Sequence, residues 1–178
     1  RYFRLPPHSR RIETLVPLTE VSSEQLWQAA ERRQDLLANT PRPRIALLVG
    51  GASYACRFDE ETAYRLGVEV RAFAEATRGA IFATTSRRTG SQATAALKKG
   101  LGDSCHLYEW QPDRSENPYL PYLALADILI VTGESESMLA EAAATGKPVY
   151  IYPLPKQQLD LWTQVKEWIV ARSSLERM

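Results

Sequence analysis

Five short apolar runs, each closed by turn-forming residues and separated by helical stretches, constrain this chain more than any other feature. They are Ile45 to Val49, Ala80 to Thr84, Cys105 to Trp110, Asp127 to Val131 and Val149 to Tyr152. Continuous apolar stretches this short belong to strands buried on both faces, the situation of a parallel sheet. Between them the apolar period changes. Asp59 opens a helical stretch in which Ala63, Leu66, Val70 and Phe73 recur every three or four residues. Ser91 to Leu101 is a further helix, ended by Gly102. Tyr119 to Ala126 predicts a short helix, and Thr132-Gly133 opens another that runs to Ala144. Gly146, with Pro148 just beyond it, stops that helix. A last helix is expected from Gln157 to Ala171, with Trp162, Val165 and Ile169 on one face. Strands alternating with helices specify an α/β fold: a doubly wound parallel sheet, Rossmann-like, of about five strands.

Before the first run the pattern differs. Residues 1–22 contain Pro6, Pro7 and Pro17, show little periodicity and are expected to form a linker or arm. Ser22 or Ser23 then caps a helix through Leu37, with Leu26, Trp27, Ala30 and Leu37 on one side, broken by Asn39 to Pro43. The domain proper is expected over 23–178, and 178 residues suffice for one domain with a substantial core.

Composition excludes several function classes. The net charge of +1 provides no global field to recruit nucleic acid or anionic lipid. No apolar run approaches the roughly 18 to 20 residues needed to span a bilayer. Arg1 to Arg11 are basic but lack the apolar core of a secretory signal. The absence of an initiating Met points to a processed chain or a piece of a longer one. Cys56 and Cys105 lie far apart and outside any CxxC or Cys/His cluster. They are expected to be ordinary thiols of a reducing compartment, with no metal site and no disulfide framework. A cytoplasmic location follows, with peripheral membrane contact left open.

In such sheets ligands sit beyond the C-terminal ends of the strands, near the topological switch point. Residues just after each strand are therefore the candidates. Ser86-Arg87-Arg88-Thr89-Gly90 brings two guanidiniums, two hydroxyls and a helix start into one small region suited to an anion. A solvated basic loop is the plainer alternative. Ser135 and Ser137 are placed to cap the following helix or to donate to a phosphate, whereas Glu134 and Glu136 argue against that segment binding a bare anion alone. Glu141, one turn beyond Ser137, is placed to face the same crevice. Gly50-Gly51 gives the backbone room for a close approach or a tight turn. Trp110-Gln111-Pro112 follows the third strand.

Other chemistries are absent. No GxGxxG follows the first strand, no Walker A sequence exists, and the GxSxG elbow is missing. Tyr152 and Lys156 have the YxxxK spacing of sugar epimerases, but Pro153 and Pro155 deny them the helix that the motif needs. His106, inside a strand, is expected to be core or surface filler.

These residues resemble two known groups. Trp110-Gln111-Pro112, Asp127 to Thr132, and Ser137 to Glu141 with Gly146 and Pro148 are similar to the C-terminal lobe of GT-B glycosyltransferases. That resemblance implies that Trp110 flanks a nucleotide base, that Ser135 and Ser137 meet a diphosphate, and that Glu141 accepts from ribose hydroxyls. A broader resemblance is to the ELM (elongated mitochondria) fission-factor family of plants and bacteria. It rests on Leu48-Val49-Gly50-Gly51, Thr85 to Thr89, Asn117-Pro118-Tyr119, Val131 to Met138, Glu141-Ala142 and Thr145 to Tyr150. The resemblance covers about residues 15 to 155 and adds Asn117 to the candidate site. It implies a two-lobed GT-B-like protein whose N-terminal lobe would precede Arg1. The catalytic base of inverting GT-B enzymes usually comes from that lobe, so no catalytic residue is expected here. Three functions are consistent with this: the donor-binding half of a glycosyltransferase taking a UDP- or GDP-type nucleotide-sugar; a non-catalytic scaffold with a fission-type role in eukaryotic relatives; and a binder of another phosphometabolite.

Overall fold

Strand alternation places successive side chains of each run on opposite faces of one sheet, so two separate layers of helices are needed to cover it. In the computed structural model, which describes residues 8–10, 12, 14, 17–37, 39–103, 105–112 and 117–157, this is the arrangement found. The chain divides into two units, Val16–Lys156 and another made of Arg1–Leu15 with Gln157–Met178. All the elements below belong to the first. The helix expected from Gln157 to Ala171 lies, past its first residue, outside the described residues.

The elements are α1 (Ser23–Arg32), β1 (Arg44–Leu48), α2 (Glu60–Thr77), β2 (Ala80–Thr84), α3 (Ser91–Leu101), β3 (Cys105–Tyr108), α4 (Tyr119–Leu125), β4 (Ile128–Thr132), α5 (Glu136–Ala144) and β5 (Val149–Tyr152). The five strands form one sheet in the order β3-β2-β1-β4-β5, and every pairing is parallel. The chain winds outward from β1 through β2 to β3. It then crosses back to lay β4 and β5 on the other side of β1. The switch point therefore lies between β1 and β4.

Ile45, Leu47 and Val49 point to one face, where they pack with Ala63, Leu66, Val70 and Ala74 of α2 and Ala93, Leu97 and Leu101 of α3. Ala46 and Leu48 point to the other, against Leu37, Tyr122 and Leu123 of α4, and Ala142 of α5. Each fully buried leucine in these layers contributes about 2 kcal/mol from apolar burial.

Local chemistry sets the helix ends. Ser22 closes a reciprocal capping box with Gln25 at the start of α1. That helix stops at Arg32 and passes into a 3-10 turn over Gln34–Leu37, so the single helix expected through Leu37 is two pieces. Asp59 accepts from the Thr62 N–H at 2.9 Å. Its hydrogen bonds from Thr62 hold the carboxyl below its ordinary value. Gly102 at φ +76 ends α3, and Gly146 at φ +69 follows the end of α5.

Candidate functional site

Beyond the C-terminal ends of the strands the hydrogen-bond ladder continues for one more residue. Val49 N–H donates to Thr84 O at 2.9 Å, Thr85 N–H to Tyr108 O at 3.1 Å, and Gly133 N–H to Tyr152 O at 2.9 Å. The Gly50 N–H donates to the Thr132 hydroxyl at 2.9 Å and so ties the ends of β1 and β4 together. The crevice at the switch point thus has a rigid floor.

The loop after β2 folds down onto that floor. Ser86 N–H donates to Thr89 Oγ1 at 2.9 Å, and Thr89 N–H returns to Ser86 O at 3.1 Å. Arg88 N–H donates to Ser86 Oγ at 3.2 Å. The Ser86 hydroxyl donates to the Gly50 carbonyl. The Thr89 hydroxyl lies 3.3 Å from the same carbonyl and is 4% exposed. Both hydroxyls foreseen as phosphate donors are therefore engaged in holding the loop to β1. Gly51 permits this contact, because at φ +114 a Cβ there would stand 2.4 Å from the Arg88 carbonyl carbon and oxygen.

The stitched loop presents its two guanidiniums differently. Arg87 is exposed. Arg88, 40% exposed, brings Nη2 to 3.6 Å from Glu134 Oε1, and its Nη1 donates to Ala52 O at 3.3 Å.

After β4 the chain makes a turn, Ser135 N–H to Thr132 O at 3.3 Å, before α5 begins. The helix therefore starts three residues later than Thr132-Gly133 suggested. Ser135 is its N-cap residue, yet its side chain makes no capping bond, although the residue is 4% exposed. Ser137 is exposed in the first turn. Between the strand and the cap, the Glu134 side chain is 1% exposed. Among the described residues, neither of its carboxylate oxygens has a hydrogen-bond partner. It lies over Gly50, where a Cβ would come 2.0 Å from Oε1.

Glu141 is held elsewhere. The Tyr119 hydroxyl of α4 donates to its Oε2. Burial first, and then this bond, push the Tyr119 phenol well above its ordinary value. Asn117 Oδ1 accepts from Tyr119 N–H at 3.0 Å, one residue before the N-cap Pro118 of α4. Trp110 is 38% exposed, and its N–H donates to Thr85 Oγ1 at 2.9 Å, which ends β3 at Tyr108 rather than Trp110. It follows the outer strand β3, two strands from β1 and so roughly 10 Å along the sheet.

Gly50, Gly51, Ser86, Arg88, Thr89 and Ser135 thus surround one crevice. Glu141 and Asn117 meet instead at Tyr119. Arg87 and Ser137 are exposed. His106 is exposed as well and stacks on Phe82, with ring centroids 5.2 Å apart, a packing role. Two residues whose roles the sequence does not show are Tyr119, which orients Glu141, and Glu134, which fills the crevice. In the sequence Glu134 is only a negative charge near a helix start, within the Val131 to Met138 segment. Tyr119 belongs to the Asn117-Pro118-Tyr119 segment of the family resemblance, but nothing in the sequence pairs it with Glu141.

Comparison with known proteins decides the family. A family model described as mitochondrial fission ELM1 matches residues 4–167. This chain belongs to the ELM1 family. The ELM1-family chain is 32% identical over 148 residues to the mitochondrial fission protein ELM1 of Arabidopsis thaliana, covering 83% of this chain and 34% of that protein. It is also 32% identical over 111 residues to the uncharacterized protein RP120 of Rickettsia prowazekii (strain Madrid E), covering 62% of this chain and 31% of the relative. The chain therefore spans about a third of the length of these curated relatives. A solved structure of POFUT1 in complex with GDP aligns with a TM-score of 0.42 and 11% identity, covering 74% of this chain and 46% of that one. No helix among the described residues is long and apolar enough to cross a membrane.

Proposed function

We propose that this ELM1-family chain is the C-terminal, donor-binding lobe of a GT-B-like glycosyltransferase and that it takes the diphosphate of a UDP- or GDP-type nucleotide-sugar. One observation carries the reading: the loop after β2 carries the exposed Arg87 and the half-exposed Arg88, and Arg88 reaches Glu134 beside the uncapped start of α5, next to the switch point between β1 and β4. Guanidiniums and a free helix N-terminus are the groups that recognise phosphate oxygens. In this reading Ser137 and the first turn of α5 meet the diphosphate beside Arg87 and Arg88. Glu141, oriented by Tyr119, accepts from the ribose hydroxyls, and Trp110 flanks the base. Gly50 and Gly51 allow the close approach of the backbone, and Ser86 and Thr89 hold the arginine loop in place. Transfer itself then depends on positioning and on stabilising the leaving diphosphate, with the base supplied by an N-terminal lobe. Cytoplasmic residence belongs to the same proposal.

The test is calorimetric titration of UDP, GDP and UDP-GlcNAc into this chain and into the Arg87→Ala/Arg88→Ala variant. The expected result is binding that is lost in the variant. Binding of equal strength in both would remove the arginine loop from the site.

A second reading, a non-catalytic scaffold, is favoured by a different observation. The hydroxyls of Ser86 and Thr89 are tied to β1, and Glu134 fills the crevice, as in a binding fold given over to another task. The name of the Arabidopsis relative, a mitochondrial fission protein, fits that reading. A scaffold keeps its partners in the double-arginine variant, and neither protein takes up nucleotide.

A further inference from the structure

The carboxylate of Glu134 is the least comfortable group at the switch point. Its side chain is 1% exposed, and neither oxygen accepts a hydrogen bond among the described residues. A carboxylate taken from water without donors is strongly disfavoured unless a positive field replaces its hydration. Two sources of that field lie beside it. One is the Arg88 guanidinium, with Nη2 3.6 Å from Oε1. The other is the start of α5, whose N-cap Ser135 immediately follows Glu134 and leaves the helix without a side-chain cap. Glu141, by contrast, has the Tyr119 hydroxyl as donor. The space over β1 exists because residue 50 is glycine, since a Cβ there would stand 2.0 Å from Oε1 and 2.9 Å from Ser135 Cβ.

From this geometry we propose that the switch-point anion site is occupied by the chain's own Glu134 carboxylate, and that a phosphate or diphosphate oxyanion enters by exchanging with it. The inference rests on the diphosphate reading of the same crevice and adds the step by which the crevice opens. Arg88 holds Glu134 by charge alone at 3.6 Å, whereas a phosphate can take parallel hydrogen bonds from a guanidinium. The displaced carboxylate recovers its hydration in solvent. The carboxylate and an incoming anion compete for the same cation and helix end, so binding is weakened by the fraction of molecules in which the site is closed.

The test combines affinity with direct detection of the carboxylate. Inorganic pyrophosphate, UDP and GDP are titrated into the wild-type chain, Glu134→Gln and Glu134→Ala. The expected result is binding about tenfold tighter in both variants, the gain for a site closed about nine-tenths of the time. In parallel, the wild-type chain is treated with a carbodiimide and an amine, and modification of Glu134 is read by mass spectrometry. Glu134 is expected to be protected in the free protein and modified when pyrophosphate saturates the site. This arm needs no variant to fold. Equal or weaker binding in both variants, or a Glu134 equally modified with and without ligand, overturns the exchange while leaving nucleotide binding standing. Exchange with pyrophosphate but no uptake of UDP or GDP keeps the exchange and removes the nucleotide. No binding by any of the three proteins removes both.

Discussion

The two ends of the sheet are built on opposite rules. At the N-terminal end of the strands the charged groups are matched with hydrogen bonds. Asp127 accepts from the Arg44 N–H at 2.7 Å and from Arg42 Nη1 at 2.8 Å, and Arg44 Nη2 donates to Leu37 O at 2.8 Å. Lys147 Nζ donates to the carbonyls of Leu123 and Ala124 at the end of α4. Among the buried atoms of these groups only Arg44 Nε lacks an acceptor. At the C-terminal end Glu134 is without donors among the described residues, Ser135 does not cap its helix, and Arg87 is exposed. Polar groups at the first end are satisfied by the fold and hold it together. At the second end Ser86, Thr89 and Thr132 are also bonded within the fold, but Glu134 and the start of α5 are left to be satisfied by something else, as expected of a site that keeps unmet hydrogen-bonding capacity for a ligand.

That contrast is broken most forcefully at Gly51. Gly51→Ala places a Cβ against the Arg88 backbone at φ +114, and a loss of about 3 kcal/mol or more in urea unfolding is expected. If the loss is small, the loop is not pinned to β1 as described. Asp127→Ala removes the centre of the satisfied end and leaves the Arg44 N–H without its partner. About 2 kcal/mol of stability should disappear with no change in anion affinity. A matching loss of affinity would show that the two ends are coupled.

Alkaline pH gives a third, smaller test. Burial pushes the Cys105 thiol from 9.0 up to about 12 and the Tyr122 phenol from 10.0 up to about 12. Both groups are neutral when protonated, and their folded values lie above the unfolded ones. The stability they contribute is therefore complete below pH 9 and is lost as the pH rises towards 12. For Cys105 the loss reaches about 1 kcal/mol at pH 10, and Cys105→Ala should remove that portion of the slope. Burial lowers the Lys147 ammonium below 10.5, which by itself raises stability with pH just below that value and so opposes part of this fall. The smallest effect is at the unsatisfied end. Arg87→Ala should change stability by less than about 0.5 kcal/mol while weakening pyrophosphate binding at least severalfold. A substantial loss of stability would make Arg87 a structural residue and weaken the comparison.

The fold was legible because its determinants are local. Ala80–Thr84, Ser91–Leu101 and Val149–Tyr152 have the bounds that their apolar runs and glycine stops suggest. The strand order was not legible, since no local pattern says that β4 returns to the far side of β1. Small errors came from tertiary bonds. The Thr85 hydroxyl ends β3 two residues early, and the Ser135 turn delays α5. The site was half legible for the same reason. A loop with two arginines announces itself in any sequence. That Ser86 bonds to Gly50, 36 residues away, or that Tyr119 bonds to Glu141, 22 residues away, depends on which strands and helices become neighbours. In the sequence Glu134 is only a negative charge near a helix start. Its burial over Gly50 appears once β1 and β4 lie side by side.

Nitrogen-15 NMR of the amide groups during titration with pyrophosphate and then GDP decides whether the unsatisfied end of the sheet is the binding end. Shifts concentrated at Gly50, Gly51, Ser86 to Gly90 and Gly133 to Ser137, with Arg44, Asp127 and Lys147 unmoved, are the predicted result. Shifts centred on Arg44, Asp127 and Lys147, or none at saturating ligand, would contradict it.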